Sequence, residues 1–491
     1  MFKLGGRNGL KVITAGSVTA FAFMLQGCVP AASGGGVASS GDPSTPATIS
    51  QADKAEGAKA HPQLLQEFGG AVTGSQAAYV EKVGKGIAMQ SGLGNARSDF
   101  TVTLLNSSVN NAFAIPGGYV YVTRQLTALM NNEAQLAAVL GHEVGHVAAR
   151  HSAKRQQAAS RNQLLGDSAF GRLGQQVFSQ GSQMLTLKYS RSQELEADDL
   201  GIAYLQRAGY DPRAMSTVLE SLARQNALEA QLRGTSNQVP EWASTHPDPA
   251  SRVRDALAKA GANATGITNR DGFLTNIDGL IYGDDPKQGI IDGSNFTHPV
   301  LRLSFQAPDG YYMVNGTQAV SINGGSGKAQ FSGGNLSGSL DAYIDTVFAS
   351  LTDSNQTRIT PANIEKAAVN GIPAAYGVAR VQASNGPVDV TVFAYDFGGG
   401  KAYHFVTITQ AGQAGVFNPM FKSFQRISAA QAGSVKPRML DVVTVKPGDT
   451  VQSLAGRMAY SDAKLERFLV LNGLQSNSTL QAGQKIKIIS Y

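Results

Sequence analysis

The chain reads as a multidomain α+β protein, with a mainly helical domain, an α/β accessory domain and a terminal βααβ module. Its 491 residues exceed what one hydrophobic core can organise. Apolar residues recur at helical spacing from about 60 to 262, then give way near 270 to alternating β-rich runs. The last stretch, 440–491, reads strand, helix, helix, strand. Hydrophobic residues make up 42% and charged residues 15%, which excludes a disordered chain and a polytopic membrane protein.

The N-terminus carries an address. Lys3, Arg7 and Lys11 precede an apolar run from Val12 to Leu25, too short to span about 30 Å of hydrocarbon and suited to a signal-peptide core. The run ends in Leu25-Gln26-Gly27-Cys28, which resembles a bacterial lipobox with Cys28 as the lipidated residue. Residues 1–27 are therefore expected to be removed. Val29 is not aspartate, so the resemblance to Gram-negative lipoproteins implies the outer membrane, facing the periplasm. Loss of the three leader cations lowers the formal charge from +6 to +3. No Lys/Arg stripe forms, so no nucleic-acid partner is expected. Cys28 is the single cysteine, which excludes an intramolecular disulfide and a thiolate metal cage. Residues 28–59, rich in Gly, Ser, Pro and Ala, read as a flexible tether.

In the helical domain, 60–262, two short strands are expected at Phe100–Leu105 and Tyr119–Thr123, and a third at Val109–Ile115, where Pro116 suits an edge. A helix is expected over Glu133–Arg150, with Asn132 as N-cap and Leu136, Val139, Leu140, Val144 and Val147 on its apolar face. It contains His142-Glu143-Val144-Gly145-His146. The two histidines lie about 40° apart on the helix surface, so they can hold one zinc ion, and Glu143 between them can take a proton from a metal-bound water. His151 lies about 140° from His146 by the same wheel, which excludes it as third ligand and makes it a surface or core histidine. A third protein ligand is needed. The helix around Ser190–Asp198 offers Glu194, with Asp198 one turn later to hold a ligand histidine's free N–H; Glu196 with Asp199 is a second pair that geometry leaves open.

The segment Asn111-Ala112-Phe113-Ala114-Ile115-Pro116-Gly117-Gly118, the His142–His146 motif and the Glu194–Asp198 motif occur in one order and spacing. In this the chain resembles the HtpX/Ste-type gluzincin zinc proteases, nearest their periplasmic BepA-like branch, over about 60–260. The resemblance implies one zinc per chain on His142, His146 and Glu194, Glu143 as general base and Asp198 behind the ligands. It implies that the Asn111–Ala114 edge pairs with the substrate backbone. It also implies that His246, in Ser244-Thr245-His246-Pro247-Asp248-Pro249, sits near the open metal position, as oxyanion stabiliser or as a cap on the zinc. Residues 160–188, with several glycines, are the candidate for a part that moves over the cleft.

Two accessory regions follow. In 270–432, strands are expected at Val388–Tyr395 and Ala402–Thr409, turns at Asn385-Gly386 and Gly398–Gly400, and helices at Leu340–Leu351 and Pro361–Val369. This order resembles a PsbP-like α/β sandwich, and His298 and His404 read as ordinary strand or turn residues. In 440–491, Val443-Thr444-Val445, Pro447-Gly448-Asp449-Thr450, Leu454-Ala455, Asn472-Gly473-Leu474, Leu480, Gly483-Gln484 and Ile486–Ile489 resemble a LysM module. That resemblance implies peptidoglycan contact through Gly448, Asp449 and Thr450 and the Asn472–Leu474 loop. The function expected is a lipid-anchored periplasmic zinc endopeptidase acting on unfolded or misassembled envelope proteins. The rival is a cell-wall-tethered chaperone or adaptor with a mostly latent protease domain.

Overall fold

Helix α1, Gln51–Glu67, begins inside the stretch that composition assigned to the tether, because Ser50 and Asp53 close a capping box at its start. The structure is a computed structural model and describes residues 48–151, 189–233, 246–351, 358–383 and 386–491. The leader, Cys28, the first part of the tether, the 160–188 stretch and the Asn385 turn residue lie outside the described residues. Leu64 of α1 and Phe68 after it pack on Phe113, Ile115 and Tyr121. Gly57 is required where α1 crosses the next turn, since a Cβ there would lie 2.4 Å from the Pro116 carbonyl oxygen.

Helix α2, Ser75–Ala88, precedes a small sheet of β1 (Thr101–Leu105), β2 (Ala112–Ile115) and β3 (Tyr119–Thr123). The spatial order is β1-β3-β2, so β2 is an edge strand, antiparallel to β3 in the register Phe113↔Tyr121. Then come α3 (Arg124–Leu129), α4 (Glu133–Ala148), α5 (Arg191–Arg207), α6 (Ala214–Arg233) and α7 (Pro249–Ala260). Leu136, Leu140 and Val144 of α4 share one core with Val80 and Ile87 of α2, Ile202 and Leu205 of α5, and Val218 and Leu222 of α6. Helix α8 (Arg270–Ile277) and β4 (Leu280–Tyr282) join this same core through Phe273, Leu274, Ile277 and Leu280. Phe273, Leu274 and Ile277 recur at helical spacing on α8, and Leu280 opens the strand after it, so the segment packs inward on this core.

The accessory region holds a seven-stranded antiparallel sheet in the order Ile364–Val369, Ile372–Ala383, Gly386–Gly398, Lys401–Gln410, Gly327–Asn335, Val320–Gly324, Tyr312–Asn315. Alternation decides what covers each face: Val390, Val392 and Ile408 meet the helix Leu340–Ala349 through Ile344 and Phe348, while Phe393, Tyr395 and Phe405 meet Phe421 and Phe424. The helix expected at Pro361–Val369 is instead the edge strand Ile364–Val369. Its Ala, Glu and Lys favour helix, but Asn370 and Gly371 both take positive φ (48° and 74°) and fold it as a hairpin onto Ile372–Gly377. Tertiary pairing overrides propensity there.

The C-terminal module comprises β5 (Arg438–Thr444), α9 (Val451–Gly456), α10 (Lys464–Asn472) and β6 (Lys485–Ser490). Strand β5 lies between β6 and β4, and Leu440, Leu454, Phe468 and Ile488 belong to the same core as α4. Lys487 is fully buried, and its Nζ donates to the carbonyls of Ala128, Leu129 and Met130 at the end of α3, at 2.8, 3.3 and 2.6 Å. The Asn472 side chain grips the Lys487 backbone on both sides, at 2.8 and 2.9 Å. Lys487→Ala is expected to destabilise the chain by about 2–4 kcal/mol, because the Ala128 and Met130 carbonyls lose this buried donor and that of Leu129 keeps only Asn131 beside it; the urea midpoint of the full chain measures it.

Candidate active site

The metal helix is fixed at its base. Asn132 accepts from the Gln135 amide at 2.9 Å, and Glu133 in the first turn accepts from Tyr79 (2.5 Å), Tyr210 (2.7 Å) and Asn269 (2.6 Å). Ten residues on, His142 and His146 bring their Nε2 atoms to 3.0 Å of each other. Helix α5 starts with a Ser190 capping box and carries Glu194 and Asp198 inward on one face. Small residues allow the approach: a Cβ on Gly145 would meet the Ala197 carbonyl oxygen at 3.0 Å, and one on Gly201 would meet the His142 amide nitrogen at 3.1 Å. Glu194 thereby reaches His146 Nε2 at 3.4 Å and His142 Nε2 at 3.7 Å.

His246 enters just before α7. Its Nδ1 lies 3.0 Å from Glu194 Oε1 and 3.4 Å from His142 Nε2, and its Nε2 lies 3.5 Å from Glu143 Oε1. Ligand atoms of His142, His146, Glu194 and His246 all fall within 4.8 Å of one another. Bonds of about 2.0–2.2 Å in a tetrahedron put neighbouring ligand atoms about 3.3–3.6 Å apart, and five contacts among these residues, 3.0–3.7 Å when either Glu194 oxygen is counted, fall around that range. Two imidazoles, a carboxylate and a third imidazole suit zinc as a donor set.

Behind the ligands, His142 Nδ1–H donates to Asp198 Oδ1 at 2.9 Å, the orienting bond expected of Asp198. Arg252 of α7 donates to both Asp198 oxygens at 2.7 and 2.6 Å, and its Nη1 to Glu194 Oε2. Glu194 Oε2 is thereby engaged, and Oε1 is the oxygen turned to His146 and His246. Burial opposes charge on Glu194, yet His246, His146 and Arg252 hold its pKa well below the ordinary carboxylate value. For Asp198, burial is likewise outweighed by the His142 and Arg252 hydrogen bonds. Burial, then His142, pushes His146 well below the ordinary imidazole value, which keeps its lone pair free. Burial raises Glu143, and His246 and His142 offset only part of that rise. Burial would lower His246, but Glu194 and Glu143 raise it.

Every residue assigned to the metal centre from sequence converges here. The second pair does not: Asp199 is exposed and accepts from Lys259 at 2.8 Å, and Glu196 bonds His151. Asn111 precedes β2 and is fully buried; neither of its side-chain polar atoms nor either Glu143 oxygen has a hydrogen-bond partner among the described residues. Ala112, Phe113 and Ala114 are buried on β2, which packs against α4. In the C-terminal module Gly448 and Thr450 are exposed and Asp449 is partly exposed, but the Asn472–Leu474 loop is committed elsewhere: Arg224 donates to the Leu474 carbonyl, and Asn131 lies against Gly473.

Sequence reasoning gave no role to Arg252, Tyr189 or His151. Arg252 had a signal, since two carboxylates on one buried helical face require a cation. Tyr189 stacks on His146, rings 3.7 Å apart and 14° from parallel. His151 is a buried histidine outside the donor group, in line with its reading from sequence, but its contact was not foreseen: α4 ends at Ala148, and Arg150 at φ 54° turns the chain so that His151 faces His146.

Residues 74–260 match Peptidase family M48, and residues 443–488 match the LysM domain. The beta-barrel assembly-enhancing protease of Escherichia coli (strain K12) is 33% identical over 190 residues, covering 36% of this chain and 37% of that protein. Mitochondrial metalloendopeptidase OMA1 of Schizosaccharomyces pombe is 32% identical over 201 residues, covering 40% of this chain and 57% of that protein. The chain thus spans less than two thirds of these relatives. The solution structure of cyanobacterial PsbP from Synechocystis is 12% identical, with a TM-score of 0.22, over 27% of this chain and 91% of that one; a likeness this weak assigns the accessory region no fold. The His-His-Glu-His centre lies within the first match, and on both grounds residues 74–260 form a peptidase domain of family M48, with residues 443–488 closing the chain as a LysM domain.

Proposed function

We propose that the chain is a zinc-dependent endopeptidase, held by a lipid on Cys28 in the periplasm at the outer membrane, that cleaves unfolded or misassembled envelope proteins. The observation that carries the activity is the buried four-residue donor group with an unbonded Glu143 beside it. Zinc, when bound, supplies a Lewis acid for the scissile carbonyl and acidifies water. His142, His146 and Glu194 hold it, and Asp198 and Arg252 hold them. Glu143 accepts the proton and passes it to the leaving amine, and its raised pKa suits both halves of that task. The β2 edge offers backbone hydrogen bonds to an extended chain, with the buried, unpaired Asn111 amide next to it.

The envelope setting is supported by the leader and lipobox-like segment and by the Escherichia coli relative's name. No described helix is long and apolar enough to cross a membrane. Peptidoglycan contact would rest on the exposed Gly448 and Thr450 with Asp449 between them. Zinc content of the purified chain and cleavage of an unfolded polypeptide test the reading; a chain that binds no zinc and cleaves nothing overturns it.

One observation favours restraint of that activity. A metal held by all of His142, His146, Glu194 and His246 would have four protein ligands, and His246 would then act as its cap. His246→Ala is expected to raise turnover on an unfolded polypeptide several-fold with zinc retained. A fall in turnover of about a hundredfold would assign His246 to the oxyanion instead.

A further inference from the structure

The two helix-borne histidines of the metal site are supported differently. His142 Nδ1–H reaches a carboxylate directly, at Asp198. His146 Nδ1 lies 2.8 Å from His151 Nδ1, and His151 Nε2 lies 3.1 Å from Glu196 Oε2. The proton positions follow from what His146 must do, and are assigned from the network. If His146 offers the lone pair of Nε2 to a metal, its proton sits on Nδ1 and is donated to His151 Nδ1. His151 then carries its own proton on Nε2 and donates it to Glu196. The chain of donors closes on a carboxylate, as the shorter one does at Asp198.

We propose that His151 and Glu196 are a positioning relay that fixes the tautomer and ring orientation of His146 for zinc binding. Neither residue belongs to the four-residue donor group. Glu196 stands on the side of α5 away from Glu194, with its side chain 52% exposed, whereas His151 is fully buried. The turn that brings His151 back onto His146 depends on the left-handed backbone of Arg150, a strained conformation for a non-glycine residue that the helix would not otherwise require. Partners of this kind behind a ligand histidine are typically worth about 10–100-fold in metal affinity.

The relay rests on the zinc reading of the site, and the test separates the two. Zinc dissociation constants of the full chain are measured by chelator competition, alongside the thermal midpoint of the metal-free protein. Glu196→Ala is expected to weaken zinc binding about tenfold with the metal-free midpoint unchanged, because a half-exposed side chain supports little of the fold. Glu196→Gln keeps an acceptor oxygen and should recover most of the affinity. His151→Ala should weaken binding further than Glu196→Ala. Wild-type zinc affinity in Glu196→Ala overturns the relay and leaves the zinc site standing. Equal losses in the Ala and Gln variants also overturn it, since a hydrogen-bond relay would distinguish them. A wild-type chain that binds no zinc overturns the zinc reading and the relay with it.

Discussion

Glu143→Gln is expected to lower cleavage of an unfolded polypeptide about 10²–10⁴-fold while zinc content stays at the wild-type level. The substitution keeps size and shape and removes only the ability to take and return a proton. Glu143 has no hydrogen-bond partner among the described residues, so what the substitution removes is the 3.5 Å ion pair of its Oε1 with His246 Nε2. It is fully buried between the two histidines, where a neutral amide is easier to accommodate than a charge. Stability should therefore hold or rise as activity falls. Cleavage rate and bound zinc, measured on the same preparation, check it; retained cleavage would remove Glu143 from the proton transfer.

Arg252→Leu carries the second large effect, and it is an effect on folding. Arg252 is the cation that Asp198 and Glu194 share, and all three side chains are buried. Removing it strands two carboxylates out of water, at a cost of about 3–5 kcal/mol. The loss should be larger after chelation, since zinc would leave Glu194 a divalent partner, whereas the chelated site leaves it only the imidazoles of His246 and His146. Urea midpoints of the zinc-loaded and chelated protein show this directly. Arg252→Lys should recover only part of the loss, because an ammonium group cannot fork across both carboxylates.

The metal helix and its ligands were legible because helical spacing is rigid: a four-residue step in His142–His146 and again in Glu194–Asp198 fixes two faces. What lay beyond a helix end was not legible. His151 lies three residues past Ala148, and one left-handed residue reverses the direction a wheel assigns to it. Arg252 was hidden for another reason. Nothing local in α7 says that its guanidinium meets α5, and only the charge requirement of the two carboxylates points to it. In the accessory sheet, Ile364–Val369 is a strand because of its neighbour, and the Asn370-Gly371 turn was the stronger signal than its own helix-favouring composition.

The core that α4 shares with the C-terminal module, sealed by Lys487 on the carbonyls of Ala128 to Met130, sets a distance. A wall-binding domain on a loose linker works as a leash: it confines a protease to a neighbourhood and leaves its orientation free. Here Met130 stands two residues before the Asn132 cap of the metal helix, so the module is fastened at that helix's own foot. It works as a ruler. Any polymer gripped at Gly448–Thr450 would lie at one offset and one angle from His142. Only chains passing at that height above the polymer would come within reach of the β2 edge.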